Sequence, residues 1–297
     1  MSRETSAGAG KPYGLERVCR VLAFPRATIS AQEQRQTANV VPLRPARRGP
    51  KVSDADLLVA IRADLAASAC TGEGHRKVWA RRRILRGLRV SRARVLRLMR
   101  ENALLSPHRR PQGTPNLHDG TITTERPNEM WGTDGIRIET VDEGWVWVFS
   151  AVDHGDAYCV GIHAVKIGNR FAAWPPIAQG LQAEFGGTFA DAGRGLSLRM
   201  DNGTQYTADD FLNQAKFWGI APSFAFVAEP QTNGVAERFN RTLKEQAIPG
   251  RVFRKVEEVR AAVTAFKDRY HRHWRLEKLG FMSPHEARQA DAMRKAA

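Results

Sequence analysis

From Met130 onward the chain changes texture, and the order of that texture limits its fold more than any other feature. Gly132–Thr140, Trp145–Val152 and Tyr158–Val165 are rich in β-branched and aromatic residues, and a turn signal, Asp142-Glu143-Gly144, divides the first two. Three consecutive antiparallel strands are expected. A helix over about Asn169–Phe185 follows, and Pro175-Pro176 must lie in its first turn or kink it. Leu196–Met200 predicts a short buried strand and Ile220–Phe226 a fifth one. Between them Thr207 is placed to cap a helix, with Asp210 at its third position, that stops at Gly219. Gly234–Gln246 predicts a closing helix, so the order is strand, strand, strand, helix, strand, helix, strand, helix.

Three acids punctuate that order. Asp134 lies on the first strand, Asp201 directly after the fourth, and Glu237 near the start of the last helix, with 66 and 35 residues in the two intervals. Neighbouring strands can bring Asp134 and Asp201 together, and the helix can lay Glu237 across the same strand ends. Carboxylates from separate elements suit a pair of magnesium ions, which take hard oxygen ligands and keep positions open for phosphate oxygens and an attacking hydroxyl or water. Lys244 falls two helical turns after Glu237 and shares its face with Arg241. Asn202 and Gly203 shape the turn that presents Asp201, while Gln205 or Tyr206 either meets DNA or packs. Asp153 reads as a turn residue beside His154-Gly155-Asp156. Trp145, Trp147 and Phe149 alternate onto one sheet face and read as core.

The charge is concentrated upstream. Residues 76–110 hold thirteen Lys or Arg against the single acid Glu101, in a chain of net charge +15. A basic load confined to one segment points to a polyanion, since neutralised phosphates release condensed counterions. Ser53 can cap a helix carrying Leu57, Leu58, Ile61 and Leu65. Arg76–Arg86 makes a second helix that Gly87 breaks, and Ser91 caps a third. In that third helix Val95, Leu98 and Met99 pack inward, leaving Arg92, Arg94, Arg97 and Arg100 available. Helix, short turn and basic helix form a helix-turn-helix layout whose last helix enters the major groove.

The segments divide as 1–50, a short helical stretch with a basic linker; 51–110, the helix-turn-helix-like DNA-binding domain; 125–248, the catalytic domain; and 249–297, a helical tail. Met1–Gly10 reads as disordered, Leu15, Val18, Val21 and Leu22 recur at helical spacing, and Gln32–Pro50 reads as a proline- and arginine-bearing linker. Ser106–Pro127, with four prolines, reads as the connection into the catalytic domain. Cys19, Cys70 and Cys159 form no paired motif, so neither a disulfide framework nor a zinc cluster is indicated. No run has the length of a membrane span or signal-peptide core, and a soluble cytoplasmic protein is expected.

Trp131-Gly132-Thr133-Asp134, Asp201-Asn202-Gly203-Thr204-Gln205-Tyr206 and Asn233-Gly234-Val235-Ala236-Glu237-Arg238-Phe239 resemble the catalytic motifs of retroviral-integrase-like DDE transposases, in particular the OrfB product of insertion-sequence family three. The resemblance extends to Val90–Arg100, Tyr270 and Ser283-Pro284. It implies an α/β, ribonuclease-H-like catalytic core, a mixed five-stranded sheet with flanking helices, preceded by all-helical helix-turn-helix modules. It further implies a DNA transposase that cleaves element 3′ ends and transfers strands through a circular intermediate. Asp134, Asp201 and Glu237 are then the catalytic residues and the ligands of two Mg2+ ions, with Mn2+ able to substitute, and Lys244 and Arg241 hold terminal DNA. The implied partners are terminal inverted repeats, target DNA, an upstream-frame product or fused form, and further copies of the chain on DNA. The competing reading is a DNA-binding regulator, or an inactive domesticated transposase, acting without catalysis. No heptad zipper and no His-His-Cys-Cys zinc module are visible.

Overall fold

The computed structural model describes residues 4–37, 52–107, 124–225 and 233–296. Residues 38–50 of the linker expected over Gln32–Pro50, most of the proline-rich connection, and the end of the fifth predicted strand lie outside them. The chain divides into two compact units, Met1–Ser53 and Asp54–Ala297.

The first unit is small. Residues 4–13 form a turn closed by a bridge between Thr5 and Pro12, where disorder was expected. Two helices follow, α1 (Leu15–Val21) and α2 (Arg26–Thr37). The spacing of Leu15, Val18 and Val21 anticipated α1, but Val21 and Leu22 stay exposed and Cys19 is the buried member. The second helix was not anticipated, because its few apolar residues, Ala27, Ile29 and Ala31, give no periodic apolar signal; it takes in Gln32–Thr37, which was expected to be linker.

The second unit begins with α3 (Asp54–Ala67), α4 (His75–Ala80) and α5 (Arg92–Glu101). The chain leaves α4 through one π-helical turn, Arg81–Leu85, and Gly87 then takes a left-handed φ of 64° that the turn requires. Ser91 caps α5 as expected, its hydroxyl accepting from the Arg94 N–H at 3.2 Å. Leu57, Ile61, Val78, Val95, Leu98 and Met99 form the buried centre of this helical part.

The sheet comprises β1 (Met130–Thr140), β2 (Gly144–Asp153), β3 (Cys159–Val165), β4 (Ser197–Met200) and β5 (Ala221–Phe224), in spatial order β3-β2-β1-β4-β5. The first three strands pair antiparallel, while β4 lies parallel to both β1 and β5. Parallel neighbours need crossovers, supplied by α6 (Trp174–Phe185), and by α7 (Thr204–Thr207) with α8 (Asp209–Phe217). The other face is covered by α9 (Gly234–Ala247) and α10 (Val256–His273), and α11 (Pro284–Ala296) packs on α10. This is the ribonuclease-H-like mixed sheet with helices on both sides.

Strand alternation divides the core in two. Ile136, Ile138, Val146, Val148 and Ile162 pack with Phe239, Leu243, Val259, Phe266 and Tyr270 on the α9–α10 side. Trp131, Phe149, Val160, Leu198 and Met200 pack with Ile177, Leu181, Tyr206 and Phe211 on the α6–α8 side. Pro175 and Pro176 fall in the first turn of α6, where their missing N–H groups have no helical partner to lose. Gly161 permits the close approach of α6, since a Cβ there would sit 1.9 Å from the Pro176 carbonyl oxygen.

Two local expectations are corrected. Thr207 ends α7 instead of capping a helix, and Ala208 precedes α8, because Thr204–Thr207 already coils into a short turn after Gly203. Trp145 is 55% exposed and not core: it sits at the open start of β2, its ring covered by the Arg137 guanidinium, while Trp147 stacks on buried Phe149.

The C-terminal helices are fastened to the sheet by a buried polar system. Arg288 of α11 donates to Asp153 at 3.0 Å, to Asp156 at 2.7 Å and to Glu184, and covers the Tyr158 ring. The Asp153 carboxylate also accepts the Asn128 and Gly155 N–H groups, so it is a structural turn residue. His271 stacks on Tyr158 and its Nε2 accepts the Cys159 N–H, while burial pushes its pKa down to about 3 and keeps the ring neutral.

Candidate active site

The register of β1 and β4 carries the first two acids to one place. Met130 faces Ser197, Trp131 faces Leu198 and Gly132 faces Arg199, an offset of 67 positions, and Asp134 and Asp201 stand 67 positions apart. Asp201 thus continues the β4 line beside Asp134, one residue after the strand ends. Parity puts Asp134 on the α9 side of the sheet, with Gly132, Ile136 and Ile138.

The α9 helix approaches that side closely because residue 132 is glycine. A Cβ there would lie 2.8 Å from Asn233 Oδ1, 2.9 Å from His154 Nε2 and 3.4 Å from the Ala236 Cβ. Asn233 pins the helix start by donating from Nδ2 to the Thr133 carbonyl at 2.9 Å. Ala236 faces the strand, so Glu237, the next residue, sits at the edge of that contact, half-buried.

Sequence reasoning missed the residue that orients Asp134. Asn240, one turn after Glu237, donates from Nδ2 to Asp134 Oδ2 at 2.9 Å. Its Oδ1 accepts the Ser150 hydroxyl at 3.0 Å, and Ser150 is the cross-strand partner of Asp134. The serine fixes which end of the amide faces the acid, and the Gly135 N–H holds the other carboxylate oxygen at 2.7 Å. The i, i+3 spacing from Glu237 was the available signal. Asn240→Ala should leave the fold intact but reduce turnover about ten- to a hundredfold, the range seen when groups that orient a metal ligand are lost. Steady-state rates with a thermal melt as control would check this, and unchanged rates would remove Asn240 from the site.

Asp134 lies within electrostatic reach of Asp201, and Glu237 within reach of both. Burial first, then the Asp201 charge, raises the Asp134 carboxyl, against the hydrogen bonds from Asn240 and Gly135 and the charge of Lys244. Burial also raises Glu237, reinforced by Asp134 and Asp201 and opposed by Arg241. Lys244 and Arg241 are exposed on α9, and both act electrostatically on these acids. Asp201 is exposed, its Oδ1 accepting the Gly203 N–H at 3.0 Å in the expected turn. Tyr206 is buried against Phe211, so it packs.

Among the described residues no three His, Cys, Asp or Glu side chains form a ready-made cage for one ion. The donor set nevertheless fits magnesium, which binds through one or two carboxylates, several waters and substrate phosphates instead of an all-protein cage. Mutual repulsion among three acids is what a divalent cation relieves.

The basic helix lies apart from the acids. Arg94 and Arg97 pair with Asp54 at the start of α3, Arg97 also with Glu101, and Arg92 with Glu277. Arg100 is exposed on the same helix. The structure therefore places Asp134, Asp201, Glu237, Lys244 and Arg241 within electrostatic reach of one another, while Arg92, Arg94 and Arg97 pair with Glu277, Asp54 and Glu101.

The chain is similar to several known proteins. Residues 218–284 match the family described as Integrase core domain. Transposase InsD for insertion element IS2A/D/F/H/I/K of Escherichia coli is 29% identical over 254 residues, covering 81% of this chain and 80% of that protein. InsD for insertion element IS2-9 of strain K12 is equally identical, over 81% and 79% of the two chains. Among solved structures, the catalytic core domain of BIV integrase is 22% identical over 57% of this chain and 99% of its own, with a TM-score of 0.42. The alignment with the transposases is longer than the sheet domain and must take in part of the helical region before it. The chain is thus similar to DNA transposases of insertion-sequence family three and to the integrase core domain family, and these likenesses support a DDE-type DNA transposase.

Proposed function

We propose that Asp134, Asp201 and Glu237 are the catalytic carboxylates of this transposase, and that together they hold two Mg2+ ions, with Mn2+ as a substitute. The observation that carries the reading is the shared offset of 67 positions between the β1–β4 register and the Asp134–Asp201 interval. Bound there, the metal pair supplies charge stabilisation for an in-line displacement at phosphorus and lowers the pKa of the attacking oxygen.

The chain's own groups set the geometry. Asn240 and the Gly135 N–H hold the Asp134 carboxylate in one orientation, and Asn233 fixes the α9 start that carries Glu237. Lys244 and Arg241 stand beside the acids as phosphate-binding cations for the element's terminal DNA. In the first step a water oxygen attacks the phosphodiester at the element's 3′ end and a 3′ hydroxyl leaves. In the second that hydroxyl attacks another phosphodiester and displaces its 3′ oxygen. On this reading residues 51–110 bind DNA through Arg92, Arg94, Arg97 and Arg100, 125–248 carry out the chemistry, and 1–50 and 249–297 flank them.

The partners proposed are the terminal inverted repeats, target DNA, other copies of the chain on DNA, and an upstream-frame product or fused form. Among the described residues no helix is long and apolar enough to cross a membrane, which accords with a cytoplasmic enzyme. Binding without catalysis is the disfavoured alternative, since it assigns no role to three carboxylates held together against their own repulsion.

The test is a labelled terminal-repeat duplex incubated with the chain, with and without the upstream-frame product. Nicked and joined strands should appear with Mg2+ or Mn2+ and vanish with a chelator. Binding that never yields metal-dependent products, even with the upstream-frame product present, would favour the regulator.

A further inference from the structure

Glu277 lies in a three-residue helical turn, Glu277–Leu279, far from the helix-turn-helix in sequence but in contact with it. Its Oε2 accepts from Arg76 Nη1 at 2.6 Å and its Oε1 from Arg92 Nη1 at 3.0 Å. Arg76 is in the first turn of α4 and Arg92 is the first residue of α5, so one carboxylate bridges guanidinium groups on both helices. The hydrogen bond from Arg76 leads in holding its carboxyl below the ordinary range, and Arg92 adds to it. We infer that Glu277 occupies the position of a DNA phosphate, and that duplex DNA docks on this face by displacing it. The inference rests on the DNA-binding reading of α3–α5.

Three observations support displacement over a permanent strut. The three side chains are 45–51% exposed, and ion pairs open to solvent to that degree hold little free energy. The helical part is already attached to the core by other contacts: Trp79 lies edge-on to Phe281 at 5.7 Å, and Thr71 and Gln246 exchange hydrogen bonds at 2.9 and 2.7 Å. The geometry, two oxygens of one anion shared by two guanidinium groups beside the N-terminal end of α5, is one that a DNA phosphate reproduces with the same single negative charge. A duplex also presents a row of phosphates and releases counterions on binding, which a single glutamate does not.

The consequence reaches the core. The next residue, Lys278, donates to the His154 carbonyl at 2.9 Å, and His154 lies against Gly132 where α9 makes its closest approach. The segment displaced by DNA is thus anchored one residue away at the end of β2.

The experiment is anisotropy of a labelled duplex with the full-length chain, without divalent metal, over a KCl series. Glu277→Gln should bind about three- to tenfold tighter at low salt, the range expected from releasing two exposed ion pairs. Its log K against log salt should steepen by about one to two, as two arginines become available to phosphates. Asp191→Asn removes the same charge at a distant pair with Arg194 and should leave binding unchanged. Adding Arg76→Gln and Arg92→Gln to Glu277→Gln should return affinity to the starting level or below. A Glu277→Gln variant that binds no tighter while the starting protein binds normally, or a gain matched by Asp191→Asn, overturns the inference. A chain that binds no duplex at any salt overturns the DNA-binding reading itself, and this one with it.

Discussion

Asp201→Asn is expected to leave a folded, DNA-binding protein that neither cleaves nor joins strands. Cleavage should fall at least about a thousandfold, because the transition-state stabilisation a metal pair supplies is several kcal/mol and each 1.4 kcal/mol is a factor of ten. The fold should not suffer. Asp201 is exposed, and the oxygen that accepts the Gly203 N–H survives in asparagine. Stability should even rise slightly near neutral pH. Asp134 and Glu237 have carboxyls raised in the folded state by burial and by Asp201, so their titration favours folding only at low pH, and that contribution is lost as pH rises through their folded pKa values. Removing the Asp201 charge lessens that loss. Strand-joining assays beside thermal melts separate the cases: retained joining would dismiss Asp201 as catalytic, and a large fall in melting temperature would attribute the defect to folding.

Arg288→Met should produce the largest loss of stability, about 3–5 kcal/mol, the range for removing one partner of a buried ion pair. Asp153 and Asp156 are nearly inaccessible and Glu184 is mostly covered, and all three give ion pairs to this one guanidinium. The deficit should depend on pH. Burial first, then Asp156, raises the Asp153 carboxyl to about 6 even with Arg288 opposing the shift. A raised carboxyl adds stability below its unfolded pKa near 4 and loses that addition as pH rises through 6. Without Arg288 the folded pKa climbs further, so the gap between variant and starting protein should be widest above pH 7 and narrow toward pH 5. Circular dichroism melts across that range test it, and a constant gap would mean that Asp153 is not the group left unpaired.

What could be read from the residues followed from which physical signals are local. Strand alternation and turn residues are local, so the five strands were legible; for Pro175-Pro176 the sequence allowed a first-turn position or a kink, and the structure has the first turn. The positions of the three acids were legible because each motif belongs to one element: Asp134 inside β1, Asp201 just past β4 and Glu237 in the first turn of α9. Asn240 could be placed on the Glu237 face by spacing, but its role could not, since that depends on Ser150 standing opposite Asp134, a fact of register that no single segment contains. Trp145 misled because alternation indicates a face and not whether a helix covers that end of it. The arginines of α5 were read as available, yet Asp54 and Glu277, 38 and 185 positions from Arg92, neutralise three of them. Long-range ion pairs leave no periodic trace.

The two-sided core also dictates when the enzyme can exist during its own synthesis. The strand bearing Asp134 is complete at Thr140, but the aromatic residues that close its α9–α10 side, Phe239, Phe266 and Tyr270, are translated 99 to 130 residues later. Contacts of such sequence separation form slowly and leave hydrophobic sheet exposed in the meantime. The carboxylates therefore cannot be gathered on a nascent chain that has not yet emerged through Tyr270.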